Sequence, residues 1–257
     1  MTNSISVLAE AVRKSERPVF FTGAGISTES GIPDFRSPKT GLWNQMKPIQ
    51  FQDFIRSEEI RKESWSRKFG GTGSMEAAKP NLGHRALVEL FALKKCHGVI
   101  TQNVDNLHQE SGLPEEMIVE LHGNATYAKC LNCGRRYQLD LIKVEFEKNG
   151  SVLPCQACGG IIKTATISFG QAMPEEEMMV AANMTEECDL MIVLGSSLTV
   201  YPAAAFPEKI ASSGKPLVII NREPTSLDNH AFLRIGEGIG KTMSSVVDEI
   251  KAQRLKP

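Results

Sequence analysis

Pro18-Val19-Phe20-Phe21-Thr22-Gly23-Ala24-Gly25-Ile26-Ser27-Thr28-Glu29-Ser30-Gly31-Ile32-Pro33-Asp34-Phe35-Arg36 is the stretch on which the reading of the whole chain turns. Residues 18–22 read as a short, fully buried strand, because Val19, Phe20 and Phe21 are apolar and β-prone. Gly23 and Gly25 then let the backbone turn sharply and come close to a ligand. Ser27, Thr28 and Ser30 are each placed to cap a helix whose free N–H groups face that turn. Strand, Gly-x-Gly turn and capped helix start commonly cradle a nucleotide diphosphate. Thr28 stands where the dinucleotide pattern has its third glycine. The acid expected about 20 residues on is represented only by Asp53, with no strand around it. A ligand-free strand-to-helix turn would use many of the same residues. Residues 31–36 argue for function, since they place an aromatic and a cation, Phe35 and Arg36, where a plain turn needs neither.

Outward from this stretch the chain keeps an α/β rhythm. Apolar runs at 97–101, 117–121, 189–194 and 216–220 read as further strands. Amphipathic helices are expected over 4–16, 82–95 (with Asn81 as cap) and 242–255, and short helices over 51–69. Near-continuous apolar strands suit a parallel sheet covered on both faces. Each strand also ends in a polar cluster, and ligands of open parallel sheets bind outside the carboxyl ends of the strands. The turn at 23–28, residues 102–105, His122, residues 195–197 and residues 221–223 would therefore line one crevice. Five coincident strand ends make a nucleotide site the leading reading.

The chain has 257 residues, 41% of them hydrophobic, enough for one large domain or a main domain with a smaller one inserted. Its 29 basic and 30 acidic side chains leave a net charge of −1, so no global field draws it to nucleic acid or membrane. Neither a secretory signal nor an apolar run of membrane-spanning length is visible. Six cysteines in a chain this long do not make a disulfide scaffold, and a reducing cytoplasm is the expected compartment.

Residues 124–167 interrupt the rhythm and hold Cys130-x-x-Cys133 and Cys155-x-x-Cys158, each pair followed by glycine. Four thiolates fit a closed tetrahedral Zn²⁺ shell with no position left for water, so a structural metal is expected rather than a catalytic one. Cys96 and Cys188 lie beside strands and read as small core residues.

Taken in order, these motifs (23–27, 31–36, Thr101-Gln102-Asn103-Val104-Asp105, His122-Gly123, the four cysteines, Gly195-Ser196-Ser197-Leu198 and Asn221-Arg222-Glu223) resemble the sirtuins, NAD-dependent protein deacylases, over nearly the whole chain. The resemblance implies a Rossmann-like parallel sheet with helices on both faces, built from about residues 1–36, 80–123 and 168–257. It implies a small domain made of a helical module (about 45–78) and a zinc module (about 124–167). By the same resemblance Ala24 and Thr28 would hold the NAD diphosphate, and Phe35 and Arg36 would belong to a cofactor loop. Gln102, Val104 and Asp105 would line the ribose and nicotinamide pockets. Ser196, Ser197, Asn221 and the backbone near Ile239 would hold the adenosine half. His122, Asn103 and Asp105 would be the catalytic residues, and Ser168, Phe169 and Gly170 would border the acyl-lysine tunnel. Asn106 stands where the family often has glycine, and the glycines around 236–240 are shifted.

The implied chemistry agrees with these residue types. Loss of nicotinamide leaves an electrophilic ribose carbon, and a weak nucleophile such as an amide oxygen captures it only when aligned and shielded from water. A general base must then activate a ribose hydroxyl, a role that suits imidazole at neutral pH. His108 reads as structural, and His84, His97 and His230 show no sign of chemistry. The expected partners are acyl-lysine proteins or peptides; the oligomeric state is not legible. Rival readings are a mono-ADP-ribosyltransferase, a desuccinylase, and a non-catalytic NAD- or metabolite-sensing module.

Overall fold

Strand β1 (Pro18–Thr22) lies near the middle of a six-stranded, wholly parallel sheet. The structure is a computed structural model that describes residues 2–34, 41, 47–70 and 74–254; Phe35 and Arg36 of the expected cofactor loop fall outside the described residues. On one side of β1 come β2 (Gly98–Thr101) and β3 (Ile118–Glu120), and on the other β7 (Leu190–Leu194), β8 (Leu217–Ile220) and β9 (Leu233–Ile235). The chain therefore runs outward one way from β1 and then returns to run outward the other way. That reversal puts a crevice at the carboxyl ends of β1 and β7, the usual ligand position in such sheets.

Side chains alternate across the sheet as the two-residue period demands. Phe20 packs with Leu8, Leu87, Leu90, Met243 and Val246 of α1 (Thr2–Lys14), α5 (Leu82–Ala92) and α10 (Ile239–Arg254). Val19 and Phe21 pack on the opposite face with Ala181, Phe206 and Ile210 of α8 (Glu175–Glu187) and α9 (Ala205–Ser213). In β7, Leu190, Ile192 and Leu194 face the first layer and Met191 and Val193 the second. Burying such a side chain is worth roughly 1.5–3 kcal/mol. Strands this apolar are stable only when covered on both faces.

Most boundaries shift by one to three residues from the sequence expectation, and two differences have a local cause. The helix expected over 82–95 stops at Ala92, because Lys94 adopts φ 57° and the Lys95 N–H returns to Leu90 O at 2.7 Å. Strand β9 was not expected at all; Leu233-Arg234-Ile235 is too short to show a period.

Away from the main sheet, β4 (Gly123–Cys130) pairs antiparallel with both β5 (Arg136–Gln138) and β6 (Ile162–Thr166), and α7 (Leu139–Asn149) packs nearby. Helices α2 (Phe51–Arg56), α3 (Glu58–Gly70) and α4 (Ser74–Ala77) form the other excursion. The two share one core. Trp65 of α3 is buried with Ala128, Cys130, Ile142, Cys155 and Ile162, and Phe69 stacks on it with ring centroids 5.4 Å apart.

Candidate active site

The floor of the crevice is backbone. Gly25 N–H donates to Gly195 O at 2.8 Å, and Gly23 N–H donates to Leu194 O at 3.0 Å. A Cβ on Gly25 would lie 2.6 Å from Gly195 Cα, and one on Gly195, at φ 68°, 2.4 Å from Ile26 N. The two strand ends interlock only because neither carries a side chain.

After Gly23 the chain forms a seven-residue 3-10 helix (Ala24–Ser30) with no side-chain cap, which corrects the expected capped helix start. The three hydroxyls named as caps are used otherwise. Ser27 Oγ donates to Asp105 Oδ2 at 2.6 Å, Thr28 Oγ1 to Gly25 O at 2.9 Å and Ser30 Oγ to Lys79 O at 2.6 Å. Asn81 does cap α5, its Oδ1 accepting from Gly83 N at 2.8 Å, and its Nδ2 donates to Ile26 O at 2.7 Å and Ser30 Oγ at 2.9 Å. Glu29 accepts from Gly240 N at 3.1 Å, tying this turn to the start of α10, where Ile239 is buried. The roles of Ser27, Asn81 and Glu29 in shaping the turn were not read from sequence; their only signal was polar residues around glycines.

Residues 102–105, after β2, cross the crevice. Gln102 Nε2 donates to Ser196 Oγ at 2.8 Å, and Asn103 Nδ2 to Gly23 O and Ser27 Oγ, both at 3.2 Å. Asp105 is buried; it accepts from Ser27 and from Leu107 N at 3.0 Å, and burial raises its pKa above the usual aspartate value. Asn106 takes φ 66°, the left-handed region, which accounts for a glycine-tolerant position filled by asparagine. A four-residue helix, α6 (Leu107–Glu110), follows.

His122 follows β3, half-buried, with Nδ1 2.9 Å from Gln102 O. A carbonyl only accepts, so Nδ1 carries the proton and Nε2 keeps its lone pair. Desolvation lowers the imidazole pKa below its ordinary value, against the opposing pull of the Gln102 carbonyl, so the ring is neutral at pH 7. Ile167 N–H donates to His122 O at 2.8 Å, which brings residues 168–170 beside this histidine. Phe51 N–H donates to Phe169 O at 2.9 Å, so α2 meets the same segment. Ser197 and Asn221 stand at the ends of β7 and β8, with Ser197 Oγ 2.9 Å from Thr199 Oγ1 and Asn221 Nδ2 donating to Glu223 O at 2.7 Å. Of the expected residues, hydrogen bonds join His122 to Gln102 and Gln102 to Ser196 in one set, and Asn103 to Asp105 through Ser27 in a second, the two sets being continuous through the Gln102–Asn103 peptide; none joins Ser197 or Asn221 to either set among the described residues.

Behind the crevice, Thr22 Oγ1 donates to Thr101 Oγ1 at 2.8 Å and lies 2.9 Å from His108 Nε2, so that nitrogen donates. Asn81 N–H donates to His84 Nδ1 at 3.4 Å, leaving the His84 proton on Nε2. His84 Nε2 and His108 Nδ1 are buried without a partner among the described residues; one is a donor and the other an acceptor, on rings with centroids 5.0 Å apart. Burial pushes the pKa of His84 down to about 4 and that of His108 to about 3. Between these values and 6.5 the unfolded chain binds a proton that the folded one refuses. Stability should thus be full above pH 6.5 and fall with acid by about 1.4 kcal/mol per pH unit for each histidine. Urea titrations at pH 7 and pH 5 test this, and an unchanged midpoint would mean that the pair is not held neutral.

The four cysteines meet at one point. All four Sγ atoms lie within 4.8 Å of one another, with Cys130–Cys158 at 3.5 Å and Cys133–Cys155 at 3.7 Å. A tetrahedral ion with bonds of about 2.3 Å holds sulfurs ~3.8 Å apart, so the group fits one structural zinc. Gly134 and Gly159, at φ 73° and 71°, turn their N–H groups back to Cys130 O and Cys155 O at 3.0 and 2.7 Å. The Tyr137 hydroxyl, donating at 3.0 Å to Cys155 Sγ, lowers that thiol toward the thiolate form.

Comparison with known proteins follows this geometry. The Sir2 family model matches residues 23–202. An NAD-dependent protein deacetylase of Bradyrhizobium diazoefficiens is 50% identical over 247 residues, 96% of either chain. Sir2 with a deacetylated p53 peptide and 3'-O-acetyl ADP ribose superposes with a TM-score of 0.86 at 33% identity, over 96% of this chain and 98% of that one. Sir2 with a p53 peptide and NAD+ gives 0.85 at 33% identity, over 96% and 99%. The matched residues run from the glycine turn through the cysteine cluster to the end of β7 and beyond, and on that likeness the chain belongs to the Sir2 family.

Proposed function

We propose that this protein removes acetyl groups from protein lysines, consuming NAD and water and releasing nicotinamide and O-acetyl-ADP-ribose. The observation that carries the reading is the assembly of His122, Asp105 and residues 168–170 around the mouth of a backbone-floored crevice at the sheet reversal. The likeness to Sir2 holding a deacetylated peptide and 3'-O-acetyl ADP ribose supports it.

When bound, NAD supplies a ribose carbon that becomes electrophilic as nicotinamide leaves. The turn carrying Ala24 and Thr28 brings backbone within reach of a diphosphate. Asp105 and the backbone near Val104 grip the carboxamide, while Asn103, fixed by Gly23 O and Ser27 Oγ, orders the adjoining ribose. His122 Nε2 takes a proton from a ribose hydroxyl so that the acyl group moves onto that oxygen. Gln102 and Ser196 line the ribose side as a hydrogen-bonded pair, and Ser197, Asn221 and the backbone near Ile239 serve the adenosine half. Ser168, Phe169 and Gly170 pair with the substrate backbone, with Phe35 and Arg36 contributed by the cofactor loop. The zinc module and the helical module form the small domain, and the six free cysteines suit a reducing cytoplasm. Mass spectrometry of the products from NAD and an acetylated peptide tests the whole reading: ADP-ribosylated peptide in place of O-acetyl-ADP-ribose would make it a mono-ADP-ribosyltransferase.

The acyl group should be neutral. Sirtuins that prefer succinyl groups resemble one another in a Tyr-x-x-Arg pair in the helical module, where this chain has Trp65 and Lys68. Trp65 is 2% exposed, stacked in the small-domain core, and Lys68 Nζ lies 3.5 Å from Glu76. Neither group is poised for a buried carboxylate, which is costly without a bidentate partner. Acetyl-lysine should exceed succinyl-lysine in kcat/KM by at least about tenfold, or ~1.4 kcal/mol. Matched peptides decide the point, and faster turnover of the succinyl peptide would refute it.

A further inference from the structure

His122 is flanked by two side chains that face a different neighbour. Glu120 ends β3 two residues before it, and Asn124 lies in β4 two residues after it. Glu120 Oε1 accepts from both Gln109 Nε2 and Asn124 Nδ2, each at 2.8 Å. Asn124 Nδ2 also donates to Asn106 Oδ1 at 2.9 Å, while Asn124 Oδ1 accepts from Thr126 N at 2.9 Å and Thr126 Oγ1 at 2.6 Å. One backbone bond runs parallel to this network, from Ala125 N to Val104 O at 2.8 Å. Asn106 is the left-handed residue next to Asp105, so the conformation that aims Asp105 at Ser27 is fastened from behind by Asn124.

We infer that Glu120 and Asn124 are positioning residues for the nicotinamide half of NAD, locking the turn that carries Asp105 to the turn that carries His122. This rests on the deacetylase reading above. A half-buried carboxylate that gathers two amide donors at one oxygen favours a single arrangement of the elements that supply them. Here those elements are the turn after β2, the helix α6 that follows it, and the strand that leaves His122. None of these side chains belongs to the glycine floor or to the end of β6. Their loss should therefore loosen one part of the site and spare the rest.

The test is a steady-state split in Glu120→Ala, Glu120→Gln and Asn124→Ala, with ADP as the probe of the adenosine diphosphate half. Removing the acceptor in Glu120→Ala, or the donor in Asn124→Ala, should raise KM for NAD at least about fivefold, as expected for lost partners of half-buried amides. KM for the acetylated peptide and Kd for ADP should stay within about twofold. Glu120→Gln keeps an Oε1 acceptor and should restore the wild-type values. If Glu120→Ala does not fold, Asn124→Ala and Glu120→Gln still give the comparison. The inference is overturned if Asn124→Ala leaves KM for NAD unchanged, if all three constants rise together, or if glutamine fails as alanine does. A wild type that binds ADP yet releases no nicotinamide with NAD and acetylated peptide would overturn the deacetylase reading, and this inference with it.

Discussion

His122→Tyr lowers deacetylation by about 10²–10⁴-fold, the usual contribution of a positioned general base, and leaves the melting temperature within a few degrees. Chemistry and stability separate at this position because His122 is half-buried at a strand end, outside the hydrophobic clusters of the described residues. Its side-chain bond from Nδ1 to Gln102 O orients the ring. The tautomer that this bond imposes leaves Nε2 free to take a proton. With its pKa lowered by burial, the wild-type rate should rise with pH as the imidazole deprotonates below 6.5, then level off near neutrality. A folded variant that keeps more than about a tenth of the wild-type rate would remove His122 from the role of base.

Cys130→Ala acts by another route and costs stability and activity together. Cys130 is both a prospective zinc ligand and a buried member of the core that Trp65, Ile142 and Ile162 complete. Structural zinc in small modules carries apparent binding energies of about 10–16 kcal/mol, as large as the roughly 5–15 kcal/mol that keeps a typical domain folded. Losing a ligand should therefore melt the small domain well below the main sheet. A strong chelator should reproduce the effect on the wild type. Zinc analysis alongside differential scanning fluorimetry and an activity assay checks it; full activity with zinc measurably gone would show that the cysteines serve some other purpose.

The parallel sheet was legible because β1, β7 and β8 are continuous apolar runs, buried on both faces, and such runs have few other uses. The polar clusters after them were legible for the same reason, since a strand end fixes where its next residues go. What sequence concealed was local. Ser27, Thr28 and Ser30 have the composition of helix caps, yet tertiary partners claim the hydroxyls of Ser27 and Ser30, that of Thr28 turns back to Gly25 O, and the backbone closes into a 3-10 helix. Lys94 lies in a pattern that continues helically, and the chain turns there without a glycine. Glu120 and Asn124 look like ordinary polar residues of a strand boundary; only the fold brings Asn106 and Gln109 to them. The joint core of α3 and α7 was invisible too, because Trp65 and Phe146 lie far apart along the chain.

That joint core has a practical meaning for anyone recombining this protein with its relatives. The two excursions leave the main sheet at separate points, so a crossover between chains would naturally exchange one and keep the other. Such a chimera would set an aromatic stack from one parent against a metal knuckle from a second, with no shared history of fitting. Trp65, Phe69 and Phe146 make the pair one heritable part, to be transplanted whole or left alone.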